Sequence, residues 1–330
     1  MANENTLLQV EHLKKYFYGS RKWFAGESQR SVVKAVDDVS FSIRRGETFG
    51  IVGESGCGKS TLGRSVIRLI EPTDGRILYD GVDLCSLSAE ELRLKRREIQ
   101  IIFQDPYASL NPRMTVRELI KAPLDVFSRD SEEKKMEQVR EIMSLVGLRE
   151  EFMHKYPHEF SGGQRQRIVI ARALILKPSF IFCDEPVSAL DASVRAQVLN
   201  LMTRIQKEMN LTYMFISHDL SVVRFLCDRI AVMYLGRIVE LATRDELYNH
   251  ALHPYTQALL SSIPVPDTDV KPNRIILQGE VPSPYHPPEG CHFHTRCPYA
   301  TEQCRTTAPE MRDAGNGHMV ACHRCAAAQG

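Results

Sequence analysis

The chain has 330 residues, of which 43% are hydrophobic and 25% are charged, and its formal net charge at pH 7 is +1. That length predicts one large domain with a smaller appendage, and the hydrophobic fraction is sufficient for a buried core. The near-neutral charge argues against a dominant nucleic-acid-binding surface, although it leaves local basic patches open. No apolar run approaches the roughly 18 residues of a membrane span, and the first residues do not resemble a signal peptide. We therefore expect a cytosolic protein without nucleic-acid partners.

Apolar patterns predict strands at the start of the chain. Leu7–Tyr16 and Val32–Ile43 alternate as half-buried strands do, and Thr48–Val52 is a short apolar run typical of a buried strand. The segment between the first two strands contains the only tryptophan, Trp23, and we assign it no role.

Strands and helices alternate through the middle of the chain. Short apolar runs predict buried strands at Ile99–Phe103, Ser179–Cys183 and Leu211–Ile216. Apolar residues at helical spacing predict helices at Thr61–Ile70, Ser131–Val146, Gln164–Leu176 and Ser193–Met209. Strands that alternate with helices predict an α/β fold with a largely parallel central sheet.

A glycine-rich loop, GESGCGKST, follows the predicted strand at Thr48–Val52 and precedes a predicted helix. Gly53, Gly58, Lys59 and Ser60 match the spacing GxxxxGK[ST]. In such loops backbone N–H groups and the helix N-terminus cradle phosphates, the lysine reaches the β- and γ-phosphates, and the hydroxyl binds Mg²⁺. The residues expected to contact the nucleotide are Ser55, Gly56, Cys57, Gly58, Lys59, Ser60 and Thr61.

Two carboxylates end a predicted strand in the segment FIFCDEP, at Asp184 and Glu185. Ligands of open α/β sheets bind at the carboxyl ends of strands. Asp184 is therefore a candidate for the Mg²⁺ shell, and Glu185 is a candidate to orient or deprotonate the attacking water. A strand that merely ends in acidic residues is the alternative.

Between these two motifs lies EFSGGQRQRIVIARAL, whose Ser161-Gly162-Gly163-Gln164 resembles the signature sequence of ATP-binding-cassette (ABC) ATPases. Ser161 begins a helix-like run and is followed by two glycines, so this segment can receive phosphate at a helix N-terminus. The resemblance implies that the signature of one subunit closes over the ATP of its partner. We therefore expect ATP to join two subunits in a head-to-tail dimer.

Three further motifs stand in the order that the family has. Gln104 in IIFQDP resembles the Q-loop, Asp191 in SALD the D-loop and His218 in FISHD the switch histidine. The resemblance implies an ABC ATPase cassette: a P-loop NTPase core with an antiparallel β subdomain and an α-helical signature subdomain. It also implies an ATPase in which Glu185, His218 and Gln104 are catalytic and in which Ser60, Gln104 and Asp184 hold Mg²⁺.

Two assignments stay open at this point. Tyr16 in EHLKKYF resembles the aromatic residue that stacks on adenine, but Phe17 or a plain packing role explains the pattern equally well. Arg165 and Arg167 add positive charge beside the signature, or else they belong to a solvated helix face.

The chain resembles one branch of the ABC family along most of its length. FQDPYASLNPRMTVRELI, HPYTQALLSSIPVPD and GEVPSPYHPPEGCHFHTRCPYA resemble ATPase subunits of bacterial dipeptide and oligopeptide importers, and QDPYASLNPR and VSALDAS resemble their F-type subunit. The resemblance implies a heterodimer with a second ABC ATPase beneath two transmembrane permease subunits, peripheral at the cytoplasmic face of the inner membrane. An extracytoplasmic substrate-binding protein would deliver the peptide. Relatives that import nickel, glutathione or oligosaccharides share the tail, so the solute stays open.

Two other classes of function are weighed against this one. A soluble ABC ATPase of DNA repair or translation usually has two cassettes or a long coiled-coil insertion, and the sequence has neither. A subunit that binds ATP without hydrolysing it would need a damaged site, whereas the residues of an active site are all present: Lys59, Ser60, Gln104, Asp184, Glu185 and His218. We therefore expect an ATPase that energises the import of di- and oligopeptides.

Proline and cysteine mark the C-terminal region. Seven prolines among residues 264–288 predict an extended linker, so we predict an ABC ATPase domain at 1–262 and a linker with a Cys-rich C-terminal extension at 263–330. Four of its thiols, Cys291, Cys297, Cys304 and Cys322, suffice for a [4Fe–4S] cluster or for zinc. The resemblance favours the cluster. Unligated thiols are a further alternative, and Cys325 could replace Cys322.

Overall fold

The structure, a computed structural model, describes residues 5–19, 32–263 and 274–326. These residues form two compact units. The first unit consists of the described residues within 1–43, 49–85 and 216–330, and the second consists of residues 44–48 and 86–215. Residues on both sides of the predicted 262/263 boundary belong to the first unit, and the boundary itself stays a prediction. Trp23 lies outside the described residues. In the described part of the chain, no helix has both the length and the apolar character needed to cross a membrane.

All six predicted strands are confirmed, and their ends differ from the predicted ones by at most two residues. The strands of the described residues lie at Thr6–Tyr18 (β1), Val32–Arg44 (β2), Thr48–Val52 (β3), Asp74–Tyr79 (β4), Val82–Asp83 (β5), Ile99–Ile102 (β6), Phe180–Asp184 (β7), Thr212–Ile216 (β8), Arg229–Tyr234 (β9), Arg237–Thr243 (β10), Arg312–Asp313 (β11) and Met319–Val320 (β12).

The four predicted helices are also confirmed, although the first ends four residues earlier than expected. The α-helices of the described residues lie at Lys59–Val66 (α1), Ala89–Lys95 (α2), Pro106–Ser109 (α3), Val116–Phe127 (α4), Glu132–Leu145 (α5), Gly162–Leu174 (α6), Ala192–Met209 (α7), Leu220–Leu226 (α8), Arg244–Asn249 (α9), Pro254–Ser261 (α10), Glu302–Thr306 (α11) and His323–Ala326 (α12). Short 3₁₀ helices lie at Leu84–Ser86, Glu150–His154 and Pro157–Glu159.

Two sets of strands form the first unit. β2, β1, β4 and β5 make a four-stranded sheet in that order, with β4 antiparallel to both β1 and β5. A second set, in the order β11-β12-β10-β9-β3, is antiparallel except that β3 lies parallel to β9. The sequence predicts no strands at β9 to β12, and the pairs that these four strands form with one another are antiparallel. β9 and β10 are antiparallel because a two-residue turn at Leu235 and Gly236 joins them, where both φ angles are positive (40° and 81°), as a type I′ hairpin turn requires.

The second unit contains a smaller set of strands and most of the long helices. β8, β7 and β6 lie side by side, with β6 parallel to β7. All five residues of β7 are buried, which is typical of a strand covered on both faces. Helix α5 begins where Ser131 accepts the N–H of Lys134 at 3.4 Å, and it buries Val139, Ile142 and Met143 at the predicted spacing. Helices α4, α5 and α6 pack against one another.

The buried carboxylate of Glu240 on β10 forms polar contacts that hold the C-terminal strand β12 in the first unit. β12 pairs with β10, and Glu240 of β10 is 0% exposed. Its carboxylate accepts the backbone N–H groups of Leu252 (2.7 Å) and His253 (3.0 Å) and lies 2.7 Å from Nε2 of His318. Burial lowers the pKa of His318, but the carboxylates of Glu240 and Glu246 together outweigh it, and the net pKa is raised. Residues 318–320 are therefore held by polar as well as apolar contacts.

Candidate functional site

The glycine-rich loop lies between β3 and α1, as the sequence predicts. Gly58 precedes α1 with φ 108°, and a Cβ at this position would lie 2.0 Å from the carbonyl oxygen of Ala35, so only glycine fits. Cys57 is buried, and burial raises the pKa of its thiol. Its backbone N–H donates to the carbonyl of Glu54 at 3.3 Å, and its carbonyl accepts the N–H of Gly236 at 2.9 Å. Cys57 therefore shapes the loop through its main chain.

Lys59 lies over this loop with its side chain almost fully buried, at 5% exposure. Its ammonium donates to the carbonyl oxygens of Gly53 (2.8 Å) and Glu54 (2.9 Å). The glycine-rich loop therefore surrounds the positive charge of Lys59 with its own backbone carbonyls. Among the other residues expected to contact the nucleotide, the structure leaves two exposed, Ser55 and Gly56, and two half-buried, Ser60 and Thr61.

Tyr16 is fixed on β1 by a polar chain in the first unit. Its hydroxyl donates to Asp37 at 2.5 Å, and Asp37 also accepts two N–H groups of Arg237, at 2.9 and 2.7 Å. The ammonium of Lys34 lies 5.5 Å from the ring centroid. Phe17, the alternative, is 43% exposed. Tyr16 is therefore the more rigidly held of the two aromatic rings, and its contact with adenine stays a prediction.

His218 is exposed and stands between β8 and α8. The residue before it, Ser217, donates its N–H to the carbonyl of Ile51 at 3.2 Å. The residue after it, Asp219, caps α8 by accepting the N–H of Ser221 at 2.9 Å. The backbone on both sides of the histidine is thus fixed, which limits the positions that its imidazole can reach.

The second unit places Gln104 and Glu185 in contact. β7 ends at Asp184, which is 1% exposed, and Glu185 follows with φ 49°. That left-handed conformation is uncommon for residues other than glycine, and such strain is concentrated at functional sites. Nε2 of Gln104 donates to Oε2 of Glu185 at 3.3 Å. The amide therefore helps to orient the carboxylate that the sequence predicts to be catalytic.

The signature segment forms a reciprocal cap at the start of α6. The N–H of Ser161 donates to Oε1 of Gln164 at 3.0 Å, and the Ser161 hydroxyl accepts the N–H of Gln164 at 3.4 Å. Asp191 caps α7 in a similar way, because its carboxylate accepts the N–H of Val194 at 3.0 Å and the hydroxyl of Ser193 at 2.8 Å. The hydrogen bond from Val194 is the main cause that lowers the pKa of Asp191. Both motifs are thus anchored at helix N-termini.

Comparison with known proteins decides the family. The profile described as ABC transporter matches residues 36–188, and the profile described as oligopeptide/dipeptide transporter, C-terminal region, matches residues 239–304. The chain is 57% identical over 327 residues to the oligopeptide transport ATP-binding protein AppF of Bacillus subtilis, with 98% of each chain covered. The chain belongs to the ABC transporter family. It is also 54% identical to the putative oligopeptide transport ATP-binding protein YkfD of Bacillus subtilis, over 96% of this chain and 95% of the relative.

Solved structures of this family share the fold. The ATP-binding cassette MJ0796, solved as a dimer in a post-hydrolysis state with ADP and Pi, has a TM-score of 0.62 and 30% identity over 72% of this chain and 98% of its own. CbiO1 of Clostridium perfringens, part of the ABC transporter complex cbiONQ, has a TM-score of 0.65 and 28% identity over 75% of this chain and 92% of its own. The chain therefore has the ABC ATPase cassette fold and is an ATPase of that family.

The two arginines after the ABC signature hold carbonyl groups of the second unit. Arg165 is 9% exposed, donates to the carbonyl of Pro157 at 2.6 Å and lies 3.9 Å from the ring centroid of Tyr107. Arg167 donates to the carbonyl of Val146 at 2.9 Å. A solvated helix face is therefore wrong for Arg165. Neither the spacing nor the composition of the sequence predicts these contacts. Each joins residues that are at least eight positions apart, which is more than the three or four positions between neighbours on one helix face.

Gly163 of the ABC signature has a packing role as well. A Cβ at this position would lie 2.3 Å from Cγ1 of Val194 on α7, and valine is stiff about χ1. Gly163→Ala is therefore expected to lower the free energy of unfolding by about 1–3 kcal/mol, the usual cost of overpacking. The double variant Gly163→Ala/Val194→Ala is expected to recover most of that loss in urea unfolding, with Val194→Ala alone as the control. A single Gly163→Ala variant as stable as the wild type would contradict this packing role.

The four cysteines predicted to bind a cluster line one cavity of about 290 Å³ in the first unit. The pKa of Cys291 is raised to about 11, mainly by burial and to a smaller extent by the neighbouring thiols of Cys304, Cys322 and Cys297. Cys325 does not line the cavity, although a hydrogen bond with it lowers the pKa of Cys322. Within the described residues, however, no group of three or more His, Cys, Asp or Glu side chains has an arrangement that could hold a metal ion. The predicted cluster is thus unsupported by the arrangement of these side chains, even though the thiols share a cavity.

Proposed function

We propose that this ABC ATPase energises the import of di- and oligopeptides through a membrane transporter. The observation that carries the proposal is the 57% identity over 98% of both chains to AppF, which is named an oligopeptide transport ATP-binding protein. The match of residues 239–304 to the C-terminal region of oligopeptide/dipeptide transporters also supports it. The same role in an importer of nickel, glutathione or oligosaccharides is the alternative.

The glycine-rich loop is the proposed seat of the ATP phosphates. Its backbone N–H groups and the buried ammonium of Lys59 supply positive charge for the β- and γ-phosphates, and the ring of Tyr16 supplies an apolar face for adenine. Oxygen atoms suit Mg²⁺, and three side chains of the chain would offer them: Ser60, Gln104 and Asp184. The ion would neutralise charge on the phosphates.

Hydrolysis is assigned to three side chains. Glu185 orients or deprotonates the attacking water, since a carboxylate at this point can accept its proton. Gln104 donates to the Glu185 carboxylate and so limits its rotation. His218 is proposed to contact the γ-phosphate from a backbone that is fixed on both sides.

A second ABC ATPase is the proposed partner across the nucleotide. Ser161, Gly162, Gly163 and Gln164 would contact the ATP held by that partner, because α6 presents its N-terminus there and helix N-termini attract phosphate. Asp191 would lie at the same interface. ATP then joins the two subunits, and its hydrolysis removes the bridge. The pair is proposed to be a heterodimer, as the resemblance to F-type subunits implies.

Two transmembrane permease subunits are the proposed membrane partners, with an extracytoplasmic substrate-binding protein acting through them. The segment Asp105–Lys121 is proposed to contact the permease at the cytoplasmic face of the inner membrane, where the chain would be peripheral. Tyr107 in this segment is 62% exposed, and its ring stacks on Arg165 of the signature helix. ATP and the permease would then both favour the same closed state, so that the binding of each strengthens the binding of the other, which is reciprocal coupling.

The test is reconstitution of the chain with its second ATPase, two permeases and binding protein in lipid vesicles. We expect a short peptide with the binding protein to stimulate ATP hydrolysis and to enter the vesicles, whereas nickel, glutathione and an oligosaccharide do not. Stimulation by one of those three instead would overturn the peptide assignment. Full hydrolysis by the chain with no affinity for the permeases would overturn the transporter role.

The thiols around the cavity are proposed to bind a [4Fe–4S] cluster, with zinc as the alternative. The support is the donor set, since Cys291, Cys297, Cys304 and Cys322 all line one cavity, and four thiolates can hold either group. A bound metal centre would cross-link and so stabilise an extension that is too short to form a large hydrophobic core of its own.

Anaerobic purification tests this site. We expect a brown protein with about four iron and four sulfide ions per chain, and we expect Cys297→Ser to lose them. Cys85→Ser is the matched control, because Cys85 is a partly buried thiol that does not line the cavity. A colourless protein with one zinc ion would overturn the iron–sulfur cluster but support a structural metal centre in the extension. A protein with neither metal would overturn both assignments.

A further inference from the structure

Glu54, the second residue of the glycine-rich loop, has a separate partner for each of its polar groups. Its backbone N–H donates to the hydroxyl of Tyr255 at 2.8 Å, and its carbonyl accepts the ammonium of Lys59 at 2.9 Å. Its carboxylate accepts two N–H groups of Arg296, at 2.7 and 3.1 Å. Two of these partners therefore come from the C-terminal part of the first unit, and one is the lysine proposed to bind phosphate.

The contact between Arg296 and Glu54 has the features of a strong ion pair. It is bidentate, which fixes the relative orientation of the two planar groups. The Arg296 side chain is 8% exposed and that of Glu54 is 28% exposed, so water screens the pair less than an ordinary surface pair. Removal of one partner would leave a partly buried charge without its counterion, which is costly.

Arg296 itself sits on a rigid turn of the extension. Its backbone N–H donates to the carbonyl of Phe293 at 3.0 Å, and the Phe293 ring is buried at 1% exposure. That ring meets Tyr234 edge-on, with centroids 5.3 Å apart, and lies 5.4 Å from Tyr255. The next residue, Cys297, lines the cysteine cavity. The turn therefore connects the wall of that cavity to the phosphate loop through a packed aromatic cluster.

We propose that Arg296 is a positioning residue for the phosphate loop, so that the cysteine-rich extension sets the affinity for ATP. Arg296 holds the carboxylate of Glu54, and the backbone carbonyl of Glu54 accepts the ammonium of Lys59. Without Arg296 the loop loses one of its anchors. The Glu54 carboxylate then also becomes an uncompensated negative charge beside the triphosphate and a competing partner for Lys59. Both effects weaken ATP binding.

The test is equilibrium binding of a fluorescent ATP analogue to the full chain, far below its melting temperature. Arg296→Met is expected to raise Kd roughly tenfold, the effect of one lost charge-assisted hydrogen bond. Arg296→Lys keeps the charge but not the two-pronged geometry, so an intermediate Kd is expected. Arg305→Met is the matched control, because Arg305 lies in the same extension with a side chain 60% exposed, and it should leave Kd unchanged.

A double-mutant cycle with Glu54→Gln separates positioning from general loss of stability. If Arg296 acts through Glu54, the two substitutions affect Kd less than additively, and the double variant binds no worse than Arg296→Met. Glu54→Gln perturbs the same pair from the loop side, so it still tests the proposal if Arg296→Met does not fold. Additive effects on Kd, or a lower melting temperature with an unchanged Kd in both single variants, would overturn the proposal.

This inference rests on the proposed role of the loop in ATP binding, and Lys59→Ala tests that role separately. A Lys59→Ala chain that binds ATP like the wild type would overturn the role of the loop. Weak binding by Lys59→Ala together with normal binding by Arg296→Met would overturn only the role of Arg296.

Discussion

Replacing Glu185 with glutamine is expected to lower ATP turnover by roughly 10²–10⁴, the usual contribution of a positioned general base. Glutamine has the size and reach of glutamate but cannot take up a proton. Its amide oxygen can still accept the hydrogen bond that Gln104 now donates to the carboxylate at 3.3 Å. The turn at φ 49° is unchanged by the substitution, so the fold and ATP binding should survive. The expected product is a complex that binds ATP and stays closed.

Single-turnover hydrolysis in the reconstituted complex measures this effect. The partner ATPase carries a substitution in its own glycine-rich loop, so that only the site with Glu185 contributes to the signal. Glu151→Gln is the control, because Glu151 is an exposed carboxylate in a surface ion pair with Arg149 and should leave the rate unchanged. Wild-type turnover in Glu185→Gln would remove Glu185 from the role of catalytic carboxylate.

Local sequence signals predicted the parts of the fold that depend on neighbouring residues. The run at Thr48–Val52, the loop after it and α1 follow from spacing within a few residues, and so does the pattern of buried residues on α5. Ser161 and Gln164 cap α6 across three residues, as the sequence of the signature suggests. Such features are encoded within one or two helical turns, and the amino-acid sequence alone is therefore sufficient to predict them.

Contacts between distant residues could not be predicted in this way. Arg296 and Glu54 are 242 positions apart, and Glu240 and His318 are 78 apart, so no spacing in the sequence links them. The antiparallel pairing of β9 with β10 depends on a hairpin whose turn, Leu235-Gly236, has a leucine in place of the usual asparagine or aspartate. The polar contacts that hold the site together are thus the part that sequence reasoning missed.

Lys59→Ala is expected to weaken ATP binding at this site by tenfold to somewhat over a hundredfold, since hydrogen bonds to a charged group contribute roughly 1.5–3 kcal/mol each. Lys59 is almost fully buried, and its ammonium lies within 2.9 Å of two loop carbonyls. Its loss removes the only side-chain cation of the segment 53–61 and leaves the carbonyl oxygens of Gly53 and Glu54 without the ammonium that they accept. The backbone N–H groups that remain carry only partial charges, which are insufficient for a triphosphate.

Equilibrium binding of a fluorescent ATP analogue to the full-length chain, with circular dichroism to verify the fold, measures this loss. Lys134→Ala is the matched control, because Lys134 is a 60% exposed lysine of the second unit that pairs with Asp130, and it should bind ATP like the wild type. Lys59→Arg is the second comparison. It keeps the charge but replaces a compact ammonium with a wide planar group in a buried position, so we expect it to restore binding only in part. If Lys59→Ala and the wild type bind the analogue equally, the glycine-rich loop does not hold the phosphates of ATP in the way proposed.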